Sequence, residues 1–176
     1  MNWEAELLAL RFGGSSMDLA SYVAQQPEEI HQLIKAAGHS NHMVAWRAAW
    51  VLDNYARNHQ AEITKYTDQL SELLVATKHN GVRRHLTRIL CDTDPALIDD
   101  GRVVDLCFEW ISNPTTPVAV QANAMSLLAG LCNIYPDLAK ELETVINDNY
   151  IHGSAGFKSR CRKILKQLNT VLKADD

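Results

Sequence analysis

The sequence lacks the features that would place the chain in several large classes of protein. Its apolar stretches, such as Ala48–Leu52, are far shorter than the roughly 20 residues that cross a bilayer. Glu4 and Glu6 stand near the N-terminus, where a secretory signal needs basic residues. With 47% hydrophobic and 22% charged residues, the composition is that of an ordinary globular domain. We therefore expect one cytoplasmic domain with no membrane contact.

Cysteines are few and are not spaced as metal ligands or as redox pairs. No two of them form a CxxC pair, and each stands among apolar neighbours, where a free cysteine behaves as a small hydrophobe. We predict four reduced residues that belong to the core and hold no metal: Cys91, Cys107, Cys132 and Cys161.

Catalytic motifs are absent as well. The chain has no phosphate loop, GxGxxG, HExxH or GxSxG, so no reaction, catalytic residue or cofactor is predicted. Asp92 and Asp94 precede Pro95, where capping of a helix is expected. His39 and His42 share one turn, and His79 lies in the equivalent turn of the next repeat. Without a nearby acid or cysteine they do not predict a metal site.

What the sequence does contain is an internal repeat of about 38 residues. Segments that begin at Val44, Val82, Val120 and Phe157 carry apolar or small residues at relative positions 1, 5, 8 and 9. This spacing is the stripe of a helix with one buried face. It predicts equivalent core positions at the end of each segment: Leu52, Leu90, Leu128 and Leu165.

A second set of helices alternates with the first. Proline opens three of these helices, at Pro27, Pro95 and Pro136, and Ala61–Thr77 forms the fourth. No segment alternates with period two, so no sheet is expected. The predicted layout is an N-terminal cap, with helices Trp3–Phe12 and Asp18–Gln25 and a break at 13–16, followed by four helix pairs. Cap and pairs span residues 1–26, 27–58, 59–94, 95–135 and 136–173.

The second helix of each pair resembles the second helix of a HEAT repeat, whose loose pattern is Val-Arg-x-x-Ala-Ala-x-x-Leu-Gly. Val82 and Arg83 match its start, Arg83 and Lys158 hold its basic position, and Ala45 and Gln121 depart from it. The resemblance covers residues 27–170 and implies an all-α, right-handed α-α superhelix of the HEAT/armadillo kind. It extends to short bacterial HEAT-like proteins of unassigned function and, more distantly, to the HEAT-like alkylpurine DNA glycosylases.

Charge is divided between the two sets of helices. The segments 42–58, 80–91, 117–133 and 154–168 contain ten Lys or Arg and one acid, a net charge of +9, whereas the remaining residues carry −13. The resemblance places these helices on a concave face. One interpretation is a basic groove that attracts an acidic ligand. The other is that helices of opposite charge pair with one another along the stack.

One stripe of residues on these helices is predicted to avoid the core. Two tryptophans beside arginines suit a binding surface, since both residue types are enriched at hot spots. In the alternative, both rings fill the gap between the cap and the second pair. The candidate ligand-binding residues are Trp46, Trp50, Asp53, Arg57, Arg84, Arg88, Lys163 and Lys166.

Three functional hypotheses follow. The first is a small scaffold or adaptor that binds an acidic protein or peptide segment along a basic concave face. The second is a nucleic-acid-binding protein or DNA-repair enzyme that resembles the glycosylases, although a net charge of −4 does not favour duplex binding. The third is a purely structural module with an internal charge ladder. The partner and the oligomeric state are not predicted.

Overall fold

The structure is a computed structural model that describes residues 1–11 and 13–172. Two compact units divide the chain, residues 1–93 and 94–176. In the described residues every regular element is helical, as the absence of period-two alternation predicted. Assignment of the chain to a single domain stays a prediction.

The described residues of the first unit, 1–11 and 13–93, form seven α-helices. In chain order they are α1 (Trp3–Ala9), α2 (Gly13–Gln25), α3 (Ile30–Ala37), α4 (His42–Ala56), α5 (Gln60–Ile63), α6 (Thr67–Ala76) and α7 (Asn80–Cys91). Short 3-10 turns at Pro27–Glu29 and Thr64–Tyr66 precede α3 and α6. The predicted break at residues 13–16 is wrong, because α2 already begins at Gly13. The chain leaves the helical conformation earlier, at Leu10.

In the second unit, residues 94–172 are described and form four α-helices and one 3-10 turn. The turn is Pro95–Leu97, and the helices are α8 (Gly101–Ser112), α9 (Val118–Leu131), α10 (Asp137–Tyr150) and α11 (Ala155–Leu172). The four predicted helix pairs are present as α3 with α4, α6 with α7, α8 with α9, and α10 with α11.

In the first unit α4 is the central helix. It packs against α1, α2, α3 and α7, so most of its circumference is buried. Ala45, Ala48 and Ala49 are buried on it, and their small side chains let neighbouring helices approach closely. Leu52 on α4 and Leu90 on α7 are fully buried, as predicted.

In the second unit α9 has the corresponding central place. It carries no charged residue and packs against α8, α10 and α11. A helix that is apolar on every side must be buried, and Leu128 is fully buried there. Leu165 departs from the prediction, because it is only half-buried on α11, whereas Ile164 and Leu168 are buried.

Polar side chains close the turns inside the pairs. Arg83 donates from Nε to the carbonyl of Thr77, the residue that caps the end of α6, at 3.2 Å. At the equivalent position of α9, Gln121 donates from Nε2 to three carbonyls at the end of α8, those of Trp110, Ile111 and Asn113. The last carbonyls of a helix have no partner within the helix, so Arg83 and Gln121 perform the same structural task.

Candidate basic–aromatic face of the first unit

Helices α4 and α7 lie side by side and carry most of the predicted site. Near the start of α7, a Cβ atom on Gly81 would lie 2.6 Å from Cδ1 of Trp46. The indole ring therefore rests on the backbone of Gly81, and no larger residue fits there without moving the ring. Lack of a side chain at Gly81 sets how closely the two helices approach at this end.

The two predicted tryptophans form one aromatic surface. The rings of Trp46 and Trp50 are nearly parallel, with 8° between their planes and 6.2 Å between their centroids. Trp46 remains 37% exposed, and Trp50 is half-buried. Partial burial with an exposed edge satisfies both earlier interpretations, since Trp46 packs on α7 and still presents apolar surface to solvent.

One turn further along α4, Asp53 joins the two helices electrostatically. Its Oδ2 lies 2.9 Å from Nδ1 of His85 and 3.6 Å from Nη2 of Arg57, and its Oδ1 lies 3.3 Å from Nε of Arg88. Asp53 is only 3% exposed. This corrects the prediction that Asp53 belongs to a stripe that avoids the core. A buried carboxylate needs partners of this kind, because an unpaired charge is costly away from water.

Burial and pairing act in opposite directions on this carboxyl. Desolvation by burial raises the pKa of Asp53, whereas the hydrogen bond to His85 and the charges of Arg88 and Arg57 lower it. The net result is a pKa below the ordinary value for aspartate, so the carboxyl is ionised near neutral pH.

Two guanidinium groups share this single carboxylate, which leaves positive charge in excess. The side chain of Arg57 is 49% exposed and that of Arg88 is 39% exposed, so both also face solvent. Arg84 is exposed on α7, one turn before Arg88. We name the surface of Trp46, Trp50, Asp53, Arg57, Arg84 and Arg88 the basic–aromatic face.

The remaining two predicted residues lie in the second unit. Lys163 and Lys166 are exposed on α11, a helix that carries five Lys or Arg and no acid. Within the part of the chain that the structure describes, no ion pair involves either of them. They belong to a different unit from the basic–aromatic face.

Part of the charge division between helix sets has a structural explanation. Arg47 donates to the carbonyls of Leu7 and Leu8 at the end of α1, at 2.8 and 2.9 Å. Arg83 closes the turn after α6, and Arg160 donates to the hydroxyl of Ser126 at 2.9 Å. These three cations form hydrogen bonds within the protein and are poorly placed to recognise a ligand.

The sequence did not single out His85. It is buried, and it lies 32 residues from Asp53, six positions short of the repeat spacing of about 38 that would align them. The available signal was its place one turn before Arg88, on the face of α7 that meets α4. A polar residue on the buried side of a helix needs a partner, and Asp53 is the acid among the charged residues of α4.

Histidines in the stacked turns lie close together, as the repeat predicted. The rings of His42 and His79 are 6.1 Å apart, and Nδ1 of His39 accepts a hydrogen bond from the backbone N–H of Asn41. Within residues 1–11 and 13–172, no three His, Cys, Asp or Glu side chains form a group that could hold a metal ion. Among the same residues, no helix has both the length and the apolar content of a membrane span.

Comparison with known proteins identifies the family. A family model described as a HEAT repeat domain matches residues 6–168, nearly the whole chain. The chain therefore belongs to the HEAT repeat family, in agreement with its repeat of about 38 residues. No curated protein and no solved structure matches it. A HEAT repeat domain is typical of a scaffold or a protein-interaction module, because stacked helix pairs present extended surfaces.

Proposed function

We propose that the basic–aromatic face binds an acidic segment of another protein, which makes the chain a small scaffold or adaptor. The observation that carries the proposal is that Arg57 and Arg88, from two different helices, share the single buried carboxylate of Asp53. These two guanidinium groups stand against one carboxylate, and the exposed Arg84 lies one turn before Arg88 on α7. The excess positive charge is held in place before any ligand arrives, and a fixed charge loses little freedom on binding.

The tryptophans supply what charge alone does not. Trp46 and Trp50 offer an apolar surface beside the guanidinium groups, and tryptophan and arginine are the residue types that dominate interface energetics. The proposed ligand is therefore a segment of Asp or Glu residues that contains an apolar side chain. Cytoplasmic residence belongs to the same proposal and is favoured by free cysteines.

The environment of Asp53 favours this function over base excision. A carboxylate that acts on a substrate must reach it, whereas Asp53 is buried and contacts three side chains. Its role in the proposal is to position Arg57 and Arg88. Lys163 and Lys166 of α11 are included as a separate basic contact of the second unit, supported by their exposure.

The experiment measures binding of a fluorescein-labelled peptide of glutamates with a central leucine. Arg84→Gln and Arg88→Gln should each weaken binding roughly two- to fivefold, the range for an exposed ion pair. Lys65→Gln is the matched control, because Lys65 is exposed in the same unit and pairs with Glu62 away from the face. Lys163→Gln tests the second unit in the same way.

Two outcomes would contradict the proposal. Equal losses in Lys65→Gln and Arg84→Gln would indicate general attraction without a defined face. Tighter binding of a DNA duplex than of the peptide, with a steep dependence on salt, would favour the nucleic-acid hypothesis. The same peptide with glutamine in place of glutamate should bind weakly at every salt concentration.

A further inference from the structure

A cleft opens in the first unit beside the basic–aromatic face, between α2 and the end of α4. Its volume is about 320 Å³, at the small end of the range for ligand pockets. The walls combine apolar groups with a cation, and the residues that matter here are Ala20, Ala24, Asn54, Tyr55, Arg57 and His59.

Small side chains and one hydrogen bond between α2 and α4 keep this cleft open. Ala20 and Ala24 lie one turn apart on α2, where their side chains leave space against α4. At the inner end, Nδ2 of Asn54 donates to the hydroxyl of Ser16 at 2.9 Å and holds the two helices together. The walls are therefore set by the fold itself.

A flat aromatic wall stands on the other side. The rings of Tyr55 and His59 are stacked, with 4.6 Å between centroids and 18° between planes. Tyr55 is 3% exposed, so its ring is fixed in the core. Burial raises the pKa of Tyr55, which keeps its hydroxyl protonated near neutral pH. The wall is flat and suits a planar or apolar group.

Arg57 is the cation of the cleft, and it is the partner that Asp53 can most easily release. Its contact to the carboxylate, at 3.6 Å, is longer than those of His85 at 2.9 Å and Arg88 at 3.3 Å. Its side chain is also the most exposed of the three. If Arg57 turns toward a ligand, Asp53 keeps two partners.

We propose that this cleft binds a small organic carboxylate with an apolar body, about the size of phenylacetate. The guanidinium of Arg57 would pair with the carboxylate, the geometry that arginine favours. The apolar body would lie between Ala24 and the Tyr55–His59 pair. This site goes beyond the proposed function, because it takes a small molecule in a cleft that shares only Arg57 with the basic–aromatic face.

Titration of the ¹⁵N-labelled protein with phenylacetate, followed by NMR, tests the proposal. We expect saturable shifts at the amides of Ala24, Tyr55 and His59. Arg57→Gln should weaken the affinity about tenfold or more, because a charge-assisted hydrogen bond is lost. Ala24→Leu should weaken it to a similar extent by filling the cleft without any change of charge.

Matched controls separate this site from the face. Ala5→Leu introduces the same leucine side chain at an exposed position of α1, and Lys65→Gln removes a charge outside the cleft. Both variants should bind phenylacetate as the wild type does. Ala24→Leu should also bind the glutamate peptide normally, since it leaves the face intact. Failure of the cleft and failure of the face are therefore distinguishable.

Three results would overturn the proposal. The first is the absence of saturable shifts, and the second is unchanged affinity in Arg57→Gln. The third is equal affinity for 2-phenylethanol, which has the same apolar body without the carboxylate. If Ala24→Leu fails to fold, as judged by its circular dichroism, the exposed variant Arg57→Gln and the alcohol decide the question.

Discussion

Replacement of Asp53 by asparagine tests the electrostatic centre of the first unit. The change keeps the side-chain volume and removes the negative charge that pairs with Arg57 and Arg88. Loss of one partner from a fully buried ion pair costs about 3–5 kcal/mol. Here the two guanidinium groups are 49% and 39% exposed, so water compensates in part. We expect the free energy of unfolding to fall by roughly 1–3 kcal/mol.

The effect should depend on pH in a defined direction. The pKa of Asp53 is lowered in the folded state, so its carboxylate stabilises the fold above the unfolded-state pKa of about 4. That contribution is lost as the pH falls through the lower, folded-state pKa. The difference between wild type and Asp53→Asn should therefore be constant near neutral pH and should shrink below about pH 4.

Urea denaturation at several pH values, followed by far-UV circular dichroism, measures this difference. Asp18→Asn is the matched control, because Asp18 is exposed on α2, and its stability should match the wild type within about 0.5 kcal/mol. An Asp53→Asn protein as stable as the wild type at neutral pH would refute the electrostatic argument. A loss that persists undiminished below pH 4 would show that the carboxylate charge is not its cause.

The same variant separates the binding hypothesis from a purely structural charge ladder. Asp53 holds Arg57 and Arg88 in position, so the folded variant should bind the glutamate peptide roughly two- to fivefold less tightly. A structural ladder without a binding site predicts that weak, general attraction to the peptide stays unchanged or rises with the loss of one negative charge.

Three further predictions concern the core and the turns. Leu90→Ala should destabilise the protein by roughly 2–5 kcal/mol in urea denaturation, because Leu90 is fully buried and its truncation leaves a cavity. Gln121→Ala should cost about 1–3 kcal/mol in the same assay, since three carbonyls at the end of α8 lose a donor. Burial raises the pKa of Cys132 and of Cys161 to about 11, which makes both thiols unreactive at neutral pH. Iodoacetamide should therefore modify the half-buried Cys91 first in native protein, and mass spectrometry measures the order of modification.

The helix pairs could be predicted because each repeat buries the same stripe. Leu52, Leu90 and Leu128 are fully buried at intervals of 38 residues. The prediction was wrong at Leu165, where the described residues offer α11 only two neighbouring helices, α9 and α10. With fewer neighbours the buried stripe is narrower, and it includes Ile164 and leaves Leu165 half-exposed.

Continuity of the first helix in each pair was harder to predict, because side chains compete locally for the hydrogen bonds of the helical backbone. The predicted helix Ala61–Thr77 is interrupted by a 3-10 turn at Thr64–Tyr66, where the hydroxyl of Thr67 donates to the carbonyl of Thr64 at 2.7 Å. The helix predicted to open at Pro95 and to extend to Ile111 is likewise interrupted. Its regular part, α8, begins only after Asp100, whose carboxylate accepts a hydrogen bond from the backbone N–H of Arg102 at 3.0 Å. Such breaks depend on single side chains and leave the apolar spacing intact.

The sequence did not predict the burial of Asp53. Trp46, Trp50 and Arg57 were assigned to an exposed stripe with Asp53, and Asp53 is buried because α7 lies against that part of α4. The burial depends on His85, which is 32 residues away. Helical spacing within one segment cannot show which of its faces a later helix covers.

Charge division between helix sets is by itself a poor measure of binding capacity. At the same repeat position, Arg83 and Gln121 both donate to carbonyls at the end of the preceding helix, so an uncharged amide performs the task of a guanidinium. Arg47 donates to carbonyls at the end of α1 in a similar way. Cations of this kind are explained by the need to satisfy helix ends. The charges that support a binding function are those that face solvent on a surface that also carries apolar side chains. In the first unit Arg57 and Arg88 face solvent on the basic–aromatic face.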